Sequence, residues 1–398
     1  MNNSFVRLTV FAFLLIGAVI ALLPNQRESE PFFAPPAAPP AEIVFGANLE
    51  LSGKFAALGK ASLSGIQMAI DEINRGGGLL GKPVRLAIAD NRSDETSASA
   101  VFHQLTQQDH VVGIIGPVYS TTAIASGTLA DTFKIPFIAT LATNPRVTID
   151  DNGRVRPFAF RICFIDSFQG TAMANFALTA LQARSAAIYI DDSAYYAQGL
   201  ASFFEQAFMQ KGGQILAKAG YSPQTKDFKP KLDELLAPSP DVLFIPGYYT
   251  EVAKIIALAR SSGFNKPIIG GDGWEEQLLV NAIGPAALNN TFYCSHYSPG
   301  DDSPAIQNFI SSYQIFTKGS EPIQASVMAY DATMLLADAI RRAAEPDQQK
   351  IRDALAATIN FPAVSGLIRF DNHHNPEKNA VVIEIRNGKG QFKQRISP

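Results

Sequence analysis

Eight short apolar runs, rich in β-branched residues and separated by helical patterns, leave this chain few folds to choose from. The first four are IVFGANLEL from Ile43, VRLAIAD from Val84, VVGIIG from Val111 and IPFIAT from Ile135. The second four are SAAIYI from Ser185, GQILAKAG from Gly213, DVLFIPG from Asp241 and KPIIGGDG from Lys266. Strands of this kind alternating with helices build parallel sheets covered on both faces. The pattern therefore predicts an α/β protein of two doubly wound parallel-sheet lobes. Between the first two runs, Leu63, Ile66, Ile70 and Ile73 fall at helical spacing ahead of Arg75-Gly76-Gly77-Gly78. That spacing predicts an amphipathic helix stopped by glycine.

The tail complicates a two-block division. After TFYCSHY from Thr291 come helical stretches near 304–317, 325–344 and 347–358, then the strand-like GLIRFD and AVVIEIR. Strands after long helices predict a chain that crosses back between discontinuous lobes joined by a multi-strand hinge. The expected division is 42–161 plus 296–366 for lobe 1, and 162–295 plus 367–398 for lobe 2.

Ahead of this lies a segment of another kind. Residues 8–23, LTVFAFLLIGAVIALL, follow Arg7 with Thr9 as their one polar residue, which is a targeting pattern. As a helix they rise about 24 Å against a hydrocarbon core of roughly 30 Å, so a secretory signal fits better than a full span. A short uncleaved signal anchor, leaving the protein tethered to a membrane, is the alternative for 1–23. Residues 24–41 carry Pro24, Pro31, Pro35, Pro36, Pro39 and Pro40 among alanines and polar residues, the composition of an extended linker. The remainder is expected to be soluble outside the cytoplasm.

Composition excludes several functions. The 33 Lys and Arg against 36 Asp and Glu give a net charge of −3, which provides no basic field for nucleic acid. Five His and two Cys, in neither a Cys-x-x-Cys nor a His-Glu-x-x-His arrangement, give no reason to expect a metal. No cofactor is expected either. Gly76-Gly-Gly-Leu-Leu-Gly81 has dinucleotide-type spacing, but a helix precedes it and a strand follows, the reverse of a phosphate-binding loop. Pro83 also stands where a Ser or Thr would hold magnesium, so the glycines read as a turn. No Gly-x-Ser-x-Gly elbow occurs, and His373-His374 reads as a solvated turn.

What remains is a set of residues at strand ends, where open α/β sheets bind ligands. The first series places Ser52, Ser120, Thr140 and Thr143 there; the second places Tyr195, Tyr196, Tyr248, Tyr249 and Asp272, with Trp274 beside the last. Hydroxyls at a helix start suit an anion such as a carboxylate. Aromatic rings around one carboxylate suit a cation, so a small zwitterion between the lobes satisfies both. Each residue also has a plainer reading: Ser120 as a helix cap, Thr143 and Asp272 as turn residues, the tyrosines as edge packing.

The chain resembles the extracytoplasmic solute-binding proteins of branched-chain amino acid ABC transporters, which have the type I periplasmic-binding fold. The resemblance runs from about Ile43 to the C-terminus. It rests on LSGKFAALGKASLSGIQMAIDEINRGGGLLGKPVRLAIAD, GIIGPVYS, ATNP, RICFIDSFQG, DDSAYYAQGLA, GGDGW and SGLIRFD, in that order. By motif, it implies that Ser120 and Thr143 hold a ligand carboxylate and Asp272 holds its ammonium. It further implies that Tyr196 and Tyr248 close over the ligand, with contacts near Tyr119 and Leu141. Leu58 stands where several members place an aromatic, and Trp274 follows Asp272. The resemblance also puts Cys163 and Cys294 on segments crossing between lobes, where a disulfide across the hinge and two buried free thiols are the alternatives.

The function implied is capture of a small amino acid or amide in an inter-lobe cleft, for delivery to an inner-membrane ABC permease, without chemistry on the ligand. A membrane-tethered sensory domain for the same ligands is one alternative. An α/β enzyme with an unrecognised site is another.

Overall fold

A computed structural model describes residues 42–398. The targeting segment and most of the proline-rich linker lie outside the described residues. The eight apolar runs are all strands, arranged in two sheets, with the predicted amphipathic helix, α1, at Ala56–Arg75. In the first sheet β1 (Ile43–Leu49), β2 (Val84–Asp90), β3 (Gly113–Ile115), β4 (Phe137–Ala139) and β5 (Ala159–Arg161) lie in the order β2-β1-β3-β4-β5, every pair parallel. Strands β3, β4 and β5 are buried throughout, as expected of a parallel sheet covered on both faces.

The second sheet has a parallel body, as expected, and adds two antiparallel strands at one edge. Strands β6 (Ser185–Asp191), β7 (Gln214–Tyr221), β8 (Val242–Phe244), β9 (Ile268–Gly270) and β10 (Thr291–Ser295) are parallel. Two C-terminal strands, β13 (Ala380–Arg386) and β14 (Lys389–Ile396), then add antiparallel to β10 and to each other. A hairpin needs only a two-residue turn where a parallel addition needs a crossover, and Asn387 and Gly388 provide it with positive φ. The intervening β11 (Phe361–Ala363) and β12 (Gly366–Ile368) form a separate small hairpin.

The helices divide between the two sheets. Those over the first are α1, α2 (Glu95–Gln107), α3 (Ser120–Phe133) and the late α10 (Gln324–Ala343) and α11 (Gln348–Ala356). Helices α4 (Asp166–Thr179), α5 (Tyr195–Gln210), α6 (Lys229–Leu236), α7 (Tyr249–Ser261) and α8 (Glu276–Ile283) cover the second, and α9 (Pro304–Thr317) packs beside α1. Helix α10 approaches α1 so closely that a Cβ on Gly65 would come within 2.1 Å of the Ser326 carbonyl oxygen. The chain passes between the layers after Arg161, after Ser295 and before Ala380. No described helix is long and apolar enough to cross a membrane.

The glycines at 76–81 form a turn, with Gly77, Gly78 and Gly81 at positive φ. The histidine pair is less uniform than a solvated turn. His373 is exposed, but His374 stacks on Phe160 with ring centroids 4.1 Å apart and its Nδ1 lies 3.0 Å from the Ala159 carbonyl oxygen. The hinge disulfide is not formed: Cys163 and Cys294 are both free and buried. They belong to different cores, Cys163 with the first sheet and Cys294 with the second, and the Cys163 thiol donates to the Ala142 carbonyl at 3.4 Å.

Candidate functional site

The carboxyl ends of the two sheets face each other, and a small void lies between them. Its walls are Leu58, Val118 and Leu141 from one side and Tyr196, Tyr248, Asp272 and Gly273 from the other. The void measures about 10 Å³, roughly room for one water, so a larger molecule enters only as the walls separate.

On the first lobe, two buried charges shape the backbone. Glu50, fully buried just past β1, accepts from the Val118 and Tyr119 amides, both at 3.1 Å, and from the Thr122 hydroxyl at 2.9 Å. It thereby fixes the turn that opens α3 at Ser120. Burial raises its carboxyl pKa, while the Val118 and Tyr119 amides oppose the shift. Arg161, also fully buried, donates to the Ala142 and Asn144 carbonyls, both at 2.8 Å. These carbonyls flank Thr143, so one guanidinium sets the course of the loop that carries it. The Ser120 and Thr143 hydroxyls are buried without a hydrogen-bond partner. Ser120 stands at the first position of a helix, where unpaired amides favour an anion.

Asp272 is held from two sides on the second lobe. Gln169 of α4 donates from Nε2 to Oδ1 at 2.9 Å and accepts the Asp272 amide at 2.6 Å. On the other oxygen, Oδ2, His296 sits with Nε2 at 3.0 Å. Gln324, at the start of α10, donates to the Asp272 and Trp274 carbonyls, both at 2.8 Å. The Tyr196 hydroxyl accepts the Gly273 amide at 2.9 Å. Burial pushes the Tyr196 and Tyr248 hydroxyls well above their usual range, so both remain neutral phenols.

Four rings join the two lobes. Phe55 lies 4.6 Å from both Tyr119 and Tyr248, Tyr119 lies 5.4 Å from Tyr248, and Tyr248 lies 4.9 Å from Tyr196. Phe55 comes from the loop before α1, yet its buried ring belongs to the apolar cluster around α4 and α5. Next to it Lys54 reaches across to Glu251 at 2.9 Å, and the Tyr249 hydroxyl donates to the Lys54 carbonyl at 3.4 Å.

Of the eight residues expected from the sequence, Leu141, Tyr196, Tyr248 and Asp272 line the void. Ser120 and Thr143 are buried with free hydroxyls, and Tyr119 belongs to the aromatic quartet. Trp274 is turned away: its indole donates to the Ile245 carbonyl at 3.2 Å and packs near Tyr293 in the core beneath. Sequence reasoning missed Glu50, Phe55, Asp166, Gln169, His296 and Gln324. The available signals were Asp166 and Gln169 inside the DSFQG string and Phe55 inside LSGKFAALGK, both of which carry the resemblance.

Two sheets meeting at their carboxyl ends, a hydroxyl at a helix start on one side and a caged carboxylate on the other, define a two-lobed solute-binding protein. The sequence profile of the periplasmic binding protein family matches residues 42–390, and the chain belongs to that family. It is similar to the leucine-binding protein LivK of Thermotoga maritima, with 34% identity and a TM-score of 0.84 over 89% of this chain and 99% of that one. A further similar structure is LivJ of Streptococcus pneumoniae, a branched-chain amino acid transporter substrate-binding protein in complex with isoleucine. The two share 32% identity and a TM-score of 0.84 over 90% of this chain and all (100%) of that one. An amino acid binding protein of Pseudomonas aeruginosa is 25% identical over 358 residues, spanning 89% of this chain and 92% of that protein.

Proposed function

We propose that the chain captures a small aliphatic amino acid between its lobes and hands it to an ABC-type permease of the inner membrane. The observation that carries this reading is the pairing of opposite needs on the two facing lobes. The Ser120 hydroxyl, buried without a partner at a helix start on the first lobe, wants an anion, while Asp272 on the second wants a cation and lines the void together with the aliphatic Leu58, Val118 and Leu141. The isoleucine held by LivJ, at 32% identity, has the matching chemistry. In this reading Ser120 and Thr143 receive the carboxylate, Asp272 the ammonium, and Tyr196 and Tyr248 cover the ligand. Trp274 shapes the loop from behind.

The N-terminal apolar segment delivers the chain to the outer side of the membrane, where the two lobes work as a carrier. Water leaves as the lobes meet, which strengthens each polar contact inside. We read the cleft as a binding site and not a catalytic one, because the groups around the void are matched to holding charge.

Isothermal titration calorimetry with leucine, isoleucine and alanine tests this. Saturable binding of one of them is expected for the wild-type chain. The expected loss in Asp272→Ala is at least about thirtyfold, the least expected on truncating one partner of a buried charge pair. Absence of amino-acid binding by the wild-type protein overturns the reading.

A further inference from the structure

Asp272 is not the carboxylate that most needs a partner. Both of its oxygens are engaged, one by Gln169 and one by His296. Asp166, the first residue of α4, is fully buried, and neither of its oxygens has a hydrogen-bond partner. Among the described residues no Lys, Arg or His lies within 4.0 Å of it: the ion pairs of that length include Asp272 but not Asp166. A buried carboxylate left this way is costly unless something else receives it.

Its surroundings place it against the cleft. The Asp166 amide donates to the Thr143 carbonyl at 3.0 Å, which ties it to the loop expected to meet the ligand. The Thr143 hydroxyl faces the carboxylate without reaching hydrogen-bond geometry. On the other side is Gly199 of α5, three residues beyond Tyr196. A Cβ there would come within 3.0 Å of both Asp166 Oδ2 and Asn144 Nδ2, so the absence of a side chain is what lets α5 pack this close to the carboxylate. The charged groups around it are Arg161, whose terminal nitrogens are committed to backbone carbonyls, and Asp272.

We propose that Asp166 is a second carboxylate of the ligand site, and that the ligand's ammonium is received between Asp166 and Asp272. This rests on the reading of the cleft as an amino-acid site. A ligand nitrogen with three N–H donors can serve both carboxylates and the Thr143 hydroxyl together, which a ligand without an amine cannot do.

The test compares leucine with its des-amino analogue, 4-methylpentanoate, by calorimetry and competition on the wild-type protein, Asp166→Asn and Asp166→Ser. Both variants are expected to lose at least about thirtyfold in leucine affinity while their affinity for the analogue changes little. Their ligand-free melting temperature is expected to hold or rise, since a buried carboxylate without partners has been removed. An unchanged leucine affinity, or equal losses for both compounds, overturns the proposal. Failure of the wild-type protein to bind leucine or any other amino acid would instead count against the function itself.

Discussion

His296 holds Asp272 from behind: Nε2 lies 3.0 Å from Oδ2, and the imidazole is stacked on Phe164 with centroids 3.8 Å apart. The histidine follows directly on β10, so the carboxylate that lines the void is anchored where the chain leaves the second sheet.

That anchoring predicts a pH dependence. Burial pushes the His296 imidazole down from 6.5 to about 4, with Asp272 opposing the shift. A histidine depressed in the folded state binds protons more readily when unfolded, so its contribution to stability is complete above about 6.5 and is lost as pH falls toward 4. The loss is at most about 3 kcal/mol. Urea unfolding from pH 7 to 4 should show it, and His296→Gln should flatten that part of the curve. An identical slope in the variant assigns the acid sensitivity elsewhere.

Glu50 is expected to be structural and functional together. In Glu50→Ala, the Val118 and Tyr119 amides lose their acceptor while the Thr122 hydroxyl keeps the Tyr119 carbonyl at 2.7 Å, and an orphaned buried donor costs about 1–3 kcal/mol. A destabilisation of a few kcal/mol in urea, with weaker amino-acid binding because the turn before Ser120 relaxes, is the expected outcome. Unchanged binding in a destabilised protein would show that the turn holds its shape without the carboxylate.

Lys54 and Phe55 should govern how readily the lobes meet. Phe55→Ala removes about 3 kcal/mol of packing from the joined arrangement, so small-angle scattering should give a larger radius of gyration without ligand. Affinity for every ligand should fall together, by the share of the binding-competent form that is lost. Lys54→Ala breaks a partly exposed pair with Glu251, at 33% and 16% side-chain exposure, and should cost below about 1 kcal/mol, less in high salt. Unaltered dimensions and affinity in Phe55→Ala would remove this role.

The two cysteines should titrate as two thiols per chain in denatured, unreduced protein. In the native state both should resist alkylation, since burial pushes the Cys163 thiol up to about 12 and Cys294 well above its usual range. Finding no titratable thiol would restore the disulfide.

Periodicity carried most of the fold: eight apolar runs became eight strands because a parallel sheet buries both faces of each strand. It did not reveal β14, KGQFKQRI, an edge strand with mostly exposed residues that reads locally as a loop. At the site, residues at strand ends were legible where a motif marked them, as with Tyr196 and Asp272. Asp166 and His296 were not, because a polar residue after an apolar run looks like the start of a turn. Their burial comes from residues distant in sequence, Phe164 and Asp272 around His296 and Thr143 and Gly199 around Asp166, which no local pattern contains. Trp274 misled for a related reason. An aromatic beside Asp272 reads as facing the cleft, but bare Gly270 lets the indole fold back so closely that a Cβ there would lie 2.1 Å from Cε2.

The late crossings also bear on how the protein is made. The first core takes α10 and α11 from the far end of the chain, and the second takes β13 and β14. A nascent chain emerging from the ribosome therefore holds no finished first core before α10 and α11, and no finished second core before β13. If elongation stops before Ala380, β10 keeps a bare edge, open to pairing with any other strand it meets. The order of the elements thus delays completion of both cores until their late elements have been made, and leaves the polypeptide unfolded and extensible up to that point.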